Sequence, residues 1–312
     1  MALYLVTGGA GFIGSHLVEE LVARGETVRV LDNFSTGKRE NLEQWLDRVE
    51  LIEGSVEDLE TCKEAVEGAE SVLHQAALCS VPRSVDNPLA TNASNVTGTL
   101  NMLWACKGAG VRRFVCAGSS SVYGDSEVLP KVETMPPNPC SPYAVSKLIK
   151  EHYCRVFYRL YGLETVALRY FNVYGSRQDP DSAYAAVIPS FVQALIRGRR
   201  AKIYGDGEQS RDFTYVRDCV QANLMACQAV RAAGEVFNIA SGKRIVINDL
   251  YDRIAGLLGK RDRPKYEAPR QGDVRHSLAD ISKAKKMLGY EPRYTLDQGL
   301  GEAIEWYERH LS

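Results

Sequence analysis

Hydrophobic and polar residues follow two alternating patterns along the first half of the chain. Short aliphatic and β-branched runs predict buried strands at residues 3–6, 28–31, 51–53, 72–75 and 114–117. Between these runs, apolar residues recur with helical spacing, so that Ile13, Leu17 and Leu21 share one face and Glu20 and Arg24 the other. Strands that alternate with helices of this length predict an α/β fold with a doubly wound parallel sheet.

The second half begins with a long helical pattern over 143–160 and a strand over 165–169. Beyond Arg169, Gly and Pro become frequent and the apolar runs shorten, which predicts a smaller α+β cap over the carboxyl edge of the sheet. We therefore assign residues 1–173 to the sheet domain and 174–312 to the cap, with parts of 212–240 rejoining the first domain. The run 235–240 is the segment expected to return to the main sheet.

The composition limits the classes of partner and ligand that the chain is expected to bind. The formal net charge of −1 over 312 residues provides no basic field for nucleic acid or an anionic membrane. Eight cysteines without a CxxC pair predict reduced thiols, and neither they nor the five histidines have metal-ligand spacing, so we expect no metal site. Without a signal-peptide pattern or an apolar run of membrane-spanning length, the expected location is the cytoplasm.

A glycine-rich loop follows the first predicted strand directly. Gly8 permits a tight turn, Gly11 allows the backbone to approach a pyrophosphate, and Gly14 allows the helix to pack closely on the strand. Free backbone N–H groups at the following helix N-terminus favour an anion. Asp32 ends the second strand, where a carboxylate accepts the ribose hydroxyls of NAD and repels the 2′-phosphate of NADP. The combination predicts a Rossmann-type NAD site.

A tyrosine and a lysine open the long helix. Tyr143 and Lys147 are one helical turn apart and therefore project from one face. A free tyrosine is a poor base at neutral pH, but an adjacent ammonium and a cationic nicotinamide ring favour its phenolate and lower its pKa. Ser119 lies in the serine-rich loop after the fifth strand, where a hydroxyl can hydrogen-bond a reacting oxygen. These three residues are the predicted catalytic group.

Together these motifs resemble the extended short-chain dehydrogenase/reductase family over nearly the whole chain. The resemblance also covers the segments that begin at His74, Tyr170 and Arg211. It implies an NAD site formed by Gly8, Gly11, Phe12, Ile13, Gly14, Asp32, Asn33, Ser35, Thr36, Gly37, Ser55, Val56, Gln75, Ala76, Ala77, Asn95, Tyr143, Lys147 and Tyr170. Ser55 departs from the family, which usually has an aspartate beside the adenine.

Within that family the chain looks most like UDP-sugar 4-epimerases that accept UDP-N-acetylglucosamine. The resemblance implies that Asn172, Arg211 and Arg270 contact the diphosphate and that Asp273 holds the uridine ribose. The full implied substrate site is Ser120, Ser121, Asn172, Ala186, Val187, Tyr204, Arg211, Arg270, Asp273 and Ser277. Ser277 is small at a position where a bulky residue excludes the N-acetyl group. Cys79 replaces the glycine of N-acetyl-accepting relatives and narrows the expected pocket.

The implied reaction is epimerisation at C4 through a 4-keto sugar, with NAD unchanged at the end. Interconversion of UDP-glucose and UDP-galactose is one alternative, and a UDP-glucuronate 4-epimerase or decarboxylase is another. A 4,6-dehydratase would need an acid and a base where Ser120 and Ser121 stand. From a different class, a non-catalytic NAD-sensing protein shares the fold, although such proteins commonly lose the tyrosine or lysine.

Two predicted helices have apolar faces of their own. In the family, the helices matching 90–109 and 143–160 pack as a four-helix dimer interface. The resemblance therefore implies a homodimer, although burial of these faces against the chain's own sheet would produce the same pattern.

Overall fold

The computed structural model describes residues 2–182, 185–269 and 274–311. Its central feature is a sheet of seven strands in the order β11-β6-β5-β4-β1-β2-β3, in which every neighbouring pair is parallel. These strands are β1 (Leu3–Thr7), β2 (Thr27–Asp32), β3 (Val49–Glu53), β4 (Ser71–His74), β5 (Arg113–Ser119), β6 (Glu164–Tyr170) and β11 (Glu235–Ile239). The prediction of a doubly wound parallel sheet is confirmed, including the late strand that returns beside β6.

Helices cover both faces of this sheet. They are α1 (Phe12–Ala23), α2 (Leu59–Val66), α5 (Gly98–Ala109), α6 (Pro142–Tyr161), α8 (Val216–Gln228) and α10 (Ser282–Leu288). Two short helices, α3 (Val81–Asp86) and α4 (Pro88–Asn92), pack against α6. Aliphatic side chains from alternate strand positions fill the two layers: Val6, Val30 and Val115 point to one, Leu5 and Val72 to the other. All of these side chains are fully buried because helices cover both sides of a parallel sheet.

The remaining elements surround a third apolar cluster beyond the carboxyl edge of the sheet. They are α7 (Val187–Ile196), α9 (Ile247–Leu257), α11 (Leu296–Leu311), β7 (Val173–Tyr174), β8 (Lys202–Tyr204), β9 (Ser210–Asp212), β10 (Thr214–Tyr215), β12 (Arg244–Val246) and β13 (Lys265–Glu267). The short strands form three two-stranded pairs, β7 with β10, β9 with β12, and β8 with β13. Phe191 and Tyr251 meet edge to face in its centre.

One helix differs from its sequence prediction. The pattern over 90–109 suggests a continuous helix, but α4 and α5 are separated by a π-helical turn over Ala93–Thr97. The turn buries Asn95, whose side-chain amide forms hydrogen bonds with the Leu78 backbone on the neighbouring loop. The break in the helix thus coincides with a side chain that bonds a segment outside the helix. Across the described residues, no helix combines the length and apolarity needed to cross a membrane.

Candidate active site

A cavity of about 1550 Å³ opens where the carboxyl ends of the central strands meet the cap. The predicted NAD-site residues that line it are Gly8, Gly11, Phe12, Ile13, Gly14, Asp32, Asn33, Ser35, Thr36, Gly37, Val56, Gln75, Ala76, Ala77, Tyr143, Lys147 and Tyr170. The predicted substrate residues that line it are Ser120, Ser121, Asn172, Ala186, Arg211 and Ser277. Ser119 lines it as well, so one continuous space joins the dinucleotide loop to the predicted catalytic and sugar residues.

The glycine loop has no room for side chains at two of its three positions. A Cβ on Gly14 would lie 2.0 Å from the Gly8 carbonyl oxygen, and one on Gly8 would lie 2.8 Å from the Ala76 nitrogen. Gly8 also has a φ of +68°, which disfavours any side chain. At Gly11, by contrast, a Cβ would meet only the Gly8 oxygen, at 3.1 Å, and otherwise faces the cavity. The space at Gly11 therefore fits the pyrophosphate that the loop is predicted to hold.

Asp32 lies at the end of β2 and is held by backbone groups. One carboxylate oxygen accepts the Ala10 N–H at 2.9 Å and the other accepts the Phe34 N–H at 2.8 Å. Burial raises the pKa of this carboxyl, while the two hydrogen bonds lower it. A Cβ on Gly37 would lie 3.0 Å from the carboxylate, so this glycine keeps space beside it. The carboxylate is thus oriented before any ribose arrives.

The predicted catalytic residues come from two elements. Ser119 ends β5. Ser141 immediately precedes α6, and its hydroxyl accepts the Ala144 N–H at 3.1 Å and caps the helix. The Tyr143 N–H donates to the Ser84 hydroxyl at 3.0 Å, which ties this helix start to α3. One turn later, the buried Lys147 Nζ donates to the Ala117 carbonyl oxygen at 2.9 Å on β5. The structure therefore brings together the three predicted catalytic side chains.

The electrostatics of Tyr143 differ from the sequence expectation. Burial raises the pKa of its phenol, while the charge of Lys147 and a hydrogen bond with Ser119 lower it; the Cys79 thiol raises it. The lysine lowers the pKa as the sequence predicts, but burial, which residue spacing does not reveal, is the largest influence in the structure. For Lys147, burial lowers the pKa but neighbouring groups, Tyr143 foremost, raise it above its ordinary value. Lys147 thus remains an ammonium at neutral pH.

The predicted sugar side is organised around Asn172. Its side-chain amide donates to the Asp212 carbonyl oxygen at 2.9 Å and to the Ser277 hydroxyl at 3.2 Å. Asn172 has a φ of +34°, an unusual value that asparagine tolerates better than most residues. The Ser121 hydroxyl also faces this region and has no hydrogen-bond partner among the described residues. Polar groups are therefore available for a sugar, and a small side chain forms the wall at Ser277.

Four predicted residues stand outside the lining of the cavity: Ser55, Asn95, Val187 and Tyr204. The Ser55 hydroxyl accepts the Glu57 N–H at 3.2 Å, which is a local turn contact. Asn95 is fully buried, and its amide donates to the Ser146 hydroxyl at 3.0 Å, so it supports the walls of the site from behind. Arg270 and Asp273 lie outside the described residues.

The sequence reasoning missed several lining residues. Lys131 is buried and lines the cavity; its backbone N–H donates to the Leu278 carbonyl oxygen at 2.7 Å. Lys38 and Asp179 also line it and form an ion pair at 3.4 Å across 141 positions of sequence. No local motif marks any of them, because only the docking of the cap loop against the sheet domain brings them together. A pattern of spacing cannot show such contacts.

Comparison with known proteins gives consistent matches over the full chain. The model of the NAD dependent epimerase/dehydratase family matches residues 4–240. A protein of Methanocaldococcus jannaschii named putative UDP-glucose 4-epimerase is 39% identical, with 99% of each chain covered. The solved UDP-N-acetylglucosamine 4-epimerase of Methanobrevibacter ruminantium, in complex with UDP-N-acetylmuramic acid, is 40% identical with a TM-score of 0.95 and 99% of each chain covered.

A second solved structure is equally similar. The UDP-glucose 4-epimerase of Thermotoga maritima, determined with UDP-glucose, is 41% identical with a TM-score of 0.95. The match covers 99% of this chain and 100% of that one. Relatives of nearly equal similarity thus have names that differ in the sugar.

Proposed function

Because the chain belongs to the NAD dependent epimerase/dehydratase family and is similar throughout its length to UDP-sugar 4-epimerases, we propose that it epimerises UDP-N-acetylglucosamine at C4. The product is UDP-N-acetylgalactosamine. The observation that carries the reaction is the convergence of Ser119, Tyr143 and Lys147 on the cavity that the glycine loop also lines. The choice of sugar rests separately on the small side chain of Ser277.

NAD fits the residues present. The space left at Gly11 suits a pyrophosphate, and the oriented carboxylate of Asp32 suits the ribose hydroxyls. Gln75 and Tyr170 line the neighbouring part of the cavity, and the Tyr170 hydroxyl is held by Asn223 at 3.0 Å. When bound, NAD supplies a hydride acceptor that later returns the hydride to the sugar.

The protein's own part in the reaction is proton transfer and charge stabilisation. Tyr143, as phenolate, takes the proton of the C4 hydroxyl as the C4–H bond breaks, and returns it in the reverse half-reaction. The Ser119 hydroxyl donates a hydrogen bond to the C4 oxygen. The Lys147 ammonium stabilises the phenolate, which burial alone would disfavour. The 4-keto sugar must then present its other face before it is reduced.

Turning of the sugar requires that the diphosphate stay bound while the ring is released. Arg211 and Asn172 both line the cavity and are the described residues that the family resemblance assigns to the diphosphate. Arg211 also donates to the Ser210 and Arg275 carbonyl oxygens, which direct its guanidinium. The Ser121 hydroxyl lines the same cavity and has no hydrogen-bond partner among the described residues, so it is available to the sugar. The ring therefore has hydrogen-bond partners without a bulky wall at Ser277.

The identity of the sugar depends on the space beside Ser277 and Cys79. Ser277 makes hydrogen bonds with Asn172 and with the Asp212 N–H, so its hydroxyl is engaged and its Cβ forms the wall. This leaves space for an acetamide that a tyrosine would fill. Cys79 lines the same cavity and reduces the room that a glycine would leave. UDP-glucose is accordingly the second candidate, favoured by the bulk of Cys79.

The deciding experiment is incubation of the purified protein with UDP-N-acetylglucosamine and no added cofactor, followed by separation of the two epimers. We expect UDP-N-acetylgalactosamine, together with co-purified NAD released on denaturation. Conversion of UDP-glucose alone would support the mechanism and would indicate that the bulk of Cys79 excludes the N-acetyl group. Turnover of UDP-glucuronate alone, or of no UDP-sugar, would contradict the proposal. The Tyr143→Phe variant is the matched control because it removes only the phenolic oxygen.

We further propose that the protein is a homodimer through α5 and α6. Trp104 on α5 and Val156 and Tyr161 on α6 are 44–47% exposed, and the Trp104 and Tyr161 rings meet edge to face at 6.3 Å. Exposed aromatic and aliphatic side chains on two adjacent helices favour a protein contact. Light scattering of the intact protein should give twice the chain mass, and Val156→Glu should give a monomer.

A further inference from the structure

A buried ion pair lies directly behind the catalytic residues and has no part in the reaction described above. Arg169 Nε donates to Glu151 Oε1 at 2.9 Å, and its Nη2 donates to Oε2 at 2.7 Å. The side chains are 6% and 5% exposed. Pairs with two parallel hydrogen bonds have a fixed relative orientation. This pair can therefore fix the position of the helix that carries Glu151 relative to the strand that carries Arg169.

Those elements are the ones that carry the active site. Glu151 follows Lys147 by one turn of α6, and Arg169 immediately precedes Tyr170 at the end of β6. In the sheet, Arg169 is the register partner of Gly118, next to Ser119. A Cβ on Gly118 would lie 3.3 Å from Glu151 Oε1 and 2.9 Å from the Leu168 carbonyl oxygen. The missing side chain at Gly118 thus makes room for the pair.

The network continues to the neighbouring strand. The Arg169 guanidinium lies 4.8 Å from the centre of the Tyr123 ring, and the Tyr123 hydroxyl donates to Asn238 Oδ1 at 2.7 Å. Asn238 belongs to β11, and its N–H donates to Glu133 Oε1 at 2.8 Å. Of the Arg169 nitrogens, only Nη1 has no hydrogen-bond partner among the described residues. The contacts with Glu151 and with the Tyr123 ring hold the Arg169 side chain from two sides.

We propose that Glu151 and Arg169 are positioning residues for the reaction, whose buried ion pair fixes Lys147 and Tyr143 on α6 relative to Ser119 on β5. The inference rests on the proposed function for its effect on turnover. It also predicts an electrostatic effect that does not require turnover. Because the two opposite charges are close together, each offsets part of the other's influence on the catalytic residues, and removal of either one leaves the other unbalanced.

The direction of the effect follows from the groups that face Lys147. On its own helix these are Tyr143, Lys150 and Glu151; the thiols of Cys79 and Cys116 and the ring of His74 face it from the loops and strands. Tyr143, the two thiols and Glu151 raise the pKa of Lys147. Among these groups, Glu151 is the one that forms an ion pair with Arg169. Substitution of either member of that pair therefore changes the charge that Glu151 and Arg169 together present to Lys147, and it leaves the other groups in place.

The test compares Glu151→Gln, Arg169→Met and the double variant. Glu151→Gln leaves the Arg169 cation unbalanced, so Tyr143 and Lys147 both lose their protons at lower pH; Arg169→Met leaves an anion and shifts both to higher pH. We expect opposite shifts of about half a unit or more and their cancellation in the double variant. Tyrosinate absorbance, measured as the difference between each variant and its Tyr143→Phe derivative, reports this without substrate.

Turnover provides the second measurement. All three variants should lose about 10- to 100-fold in kcat with a smaller change in KM, because the proton-transfer geometry is displaced. Glu151→Asp, which keeps the charge but shortens the reach, should lose kcat without a shift in pH dependence, and it remains informative if Arg169→Met does not fold. A purely structural pair would lower stability but would move neither titration.

The control is a second ion pair, at the far end of the two strands that carry Ser119 and Arg169. Arg113 and Glu164 are register partners at the opposite ends of β5 and β6, paired at 2.9 Å. Glu164→Gln should leave the Tyr143 titration and kcat unchanged. Shifts of the same sign in Glu151→Gln and Arg169→Met, or no shifts, would overturn the proposal. Opposite tyrosinate shifts in a protein that epimerises no UDP-sugar would support the charge balance while refuting the proposed function.

Discussion

The ammonium of Lys147 lies 5.6 Å from the centre of the Tyr143 ring, one helical turn away on the same face of α6. The two side chains therefore form one unit in which the cation offsets the burial of the phenol. Lys147 is anchored in turn by the Ala117 carbonyl oxygen, so its charge stays beside the ring and does not reach solvent. The pKa of Tyr143 therefore reflects a balance between burial, which raises it, and the nearby positive charge, which lowers it.

The first prediction is that Lys147→Met moves the acid limb of the rate profile to higher pH. The limb reports ionisation of Tyr143, and loss of the ammonium removes the influence that lowers its pKa while burial still raises it. We expect kcat to fall about 100-fold or more at neutral pH and to recover partly as the pH rises. Profiles of kcat against pH for the two proteins provide the measurement. An unchanged acid limb would show that Lys147 does not control the phenol.

The second prediction separates cofactor binding from folding at Gly11. Gly11→Ala should leave the free energy of unfolding within about 1 kcal/mol, because the new Cβ meets only one backbone oxygen, at 3.1 Å. The same methyl group enters the space assigned to the pyrophosphate, so NAD retention should fall about tenfold or more. Urea unfolding and the NAD content of the purified protein measure the two effects. Gly256→Ala, with nothing within 4 Å of its Cβ, is the control.

Much of the fold could be predicted because parallel strands buried on both faces read as uninterrupted apolar runs. The run beginning at Leu3 and the late run beginning at Glu235 both became strands of the main sheet. The cap was harder, because its strands are only two or three residues long and pair across wide separations. The break between α4 and α5 has no local signal, since it accompanies the contact of Asn95 with another loop.

The site divides in a similar way. Gly8, Asp32 and Tyr143 belong to short motifs whose spacing reflects a mechanism, and all three line the cavity. Lys131 and the Arg169–Glu151 pair arise from tertiary packing, and nothing in the neighbouring sequence marks them. Burial is also the largest influence on the pKa of Tyr143, and burial depends on the whole surrounding structure. Residue type and spacing therefore indicate chemistry better than they indicate its electrostatic setting.

The third prediction concerns the ribose carboxylate. Asp32→Asn should reduce NAD affinity about 10- to 100-fold and weaken the discrimination against NADP, because the amide has only one acceptor oxygen and no charge. In the wild-type protein both oxygens are already used by the Ala10 and Phe34 N–H groups. Calorimetric titration of the apoprotein with each dinucleotide is the measurement. Asp58→Asn, which alters a helix cap at α2, should change neither affinity.

The fourth prediction tests the wall at Ser277. Ser277→Tyr should reduce kcat/KM for UDP-N-acetylglucosamine about 100-fold or more and that for UDP-glucose about tenfold or less, because the new ring fills the space assigned to the acetamide. Ser277→Ala is the matched control, since it keeps the small wall while removing the hydrogen bond from Asn172. Equal losses for both sugars in the tyrosine variant would place the acetamide elsewhere in the cavity.

The fifth prediction is a pH dependence of stability at Asp212, beneath the sugar pocket. One of its oxygens accepts the Ser241 hydroxyl at 2.7 Å and the other accepts the Ala279 N–H at 3.1 Å. Burial nevertheless raises the pKa of this carboxyl to about 6. Its unfolded value is about 3.9, so the folded chain binds the proton more tightly. For this group, the free energy of unfolding therefore increases as the pH falls through about 6 towards 4.

Asp212→Asn removes that titration. It also removes the oxygen that accepts the Ala279 N–H, which lowers the free energy of unfolding by an amount that does not vary with pH. The difference in unfolding free energy between wild type and variant should consequently grow by about 1–3 kcal/mol between about pH 7 and pH 4. Urea unfolding of both proteins across that range measures it. The pKa of Asp58 is lowered by its hydrogen bonds, so the corresponding difference for Asp58→Asn should stay flat down to about pH 5 and then change in the opposite direction. A flat difference for Asp212→Asn as well would mean that the carboxyl ionises in the folded chain as readily as in the unfolded one.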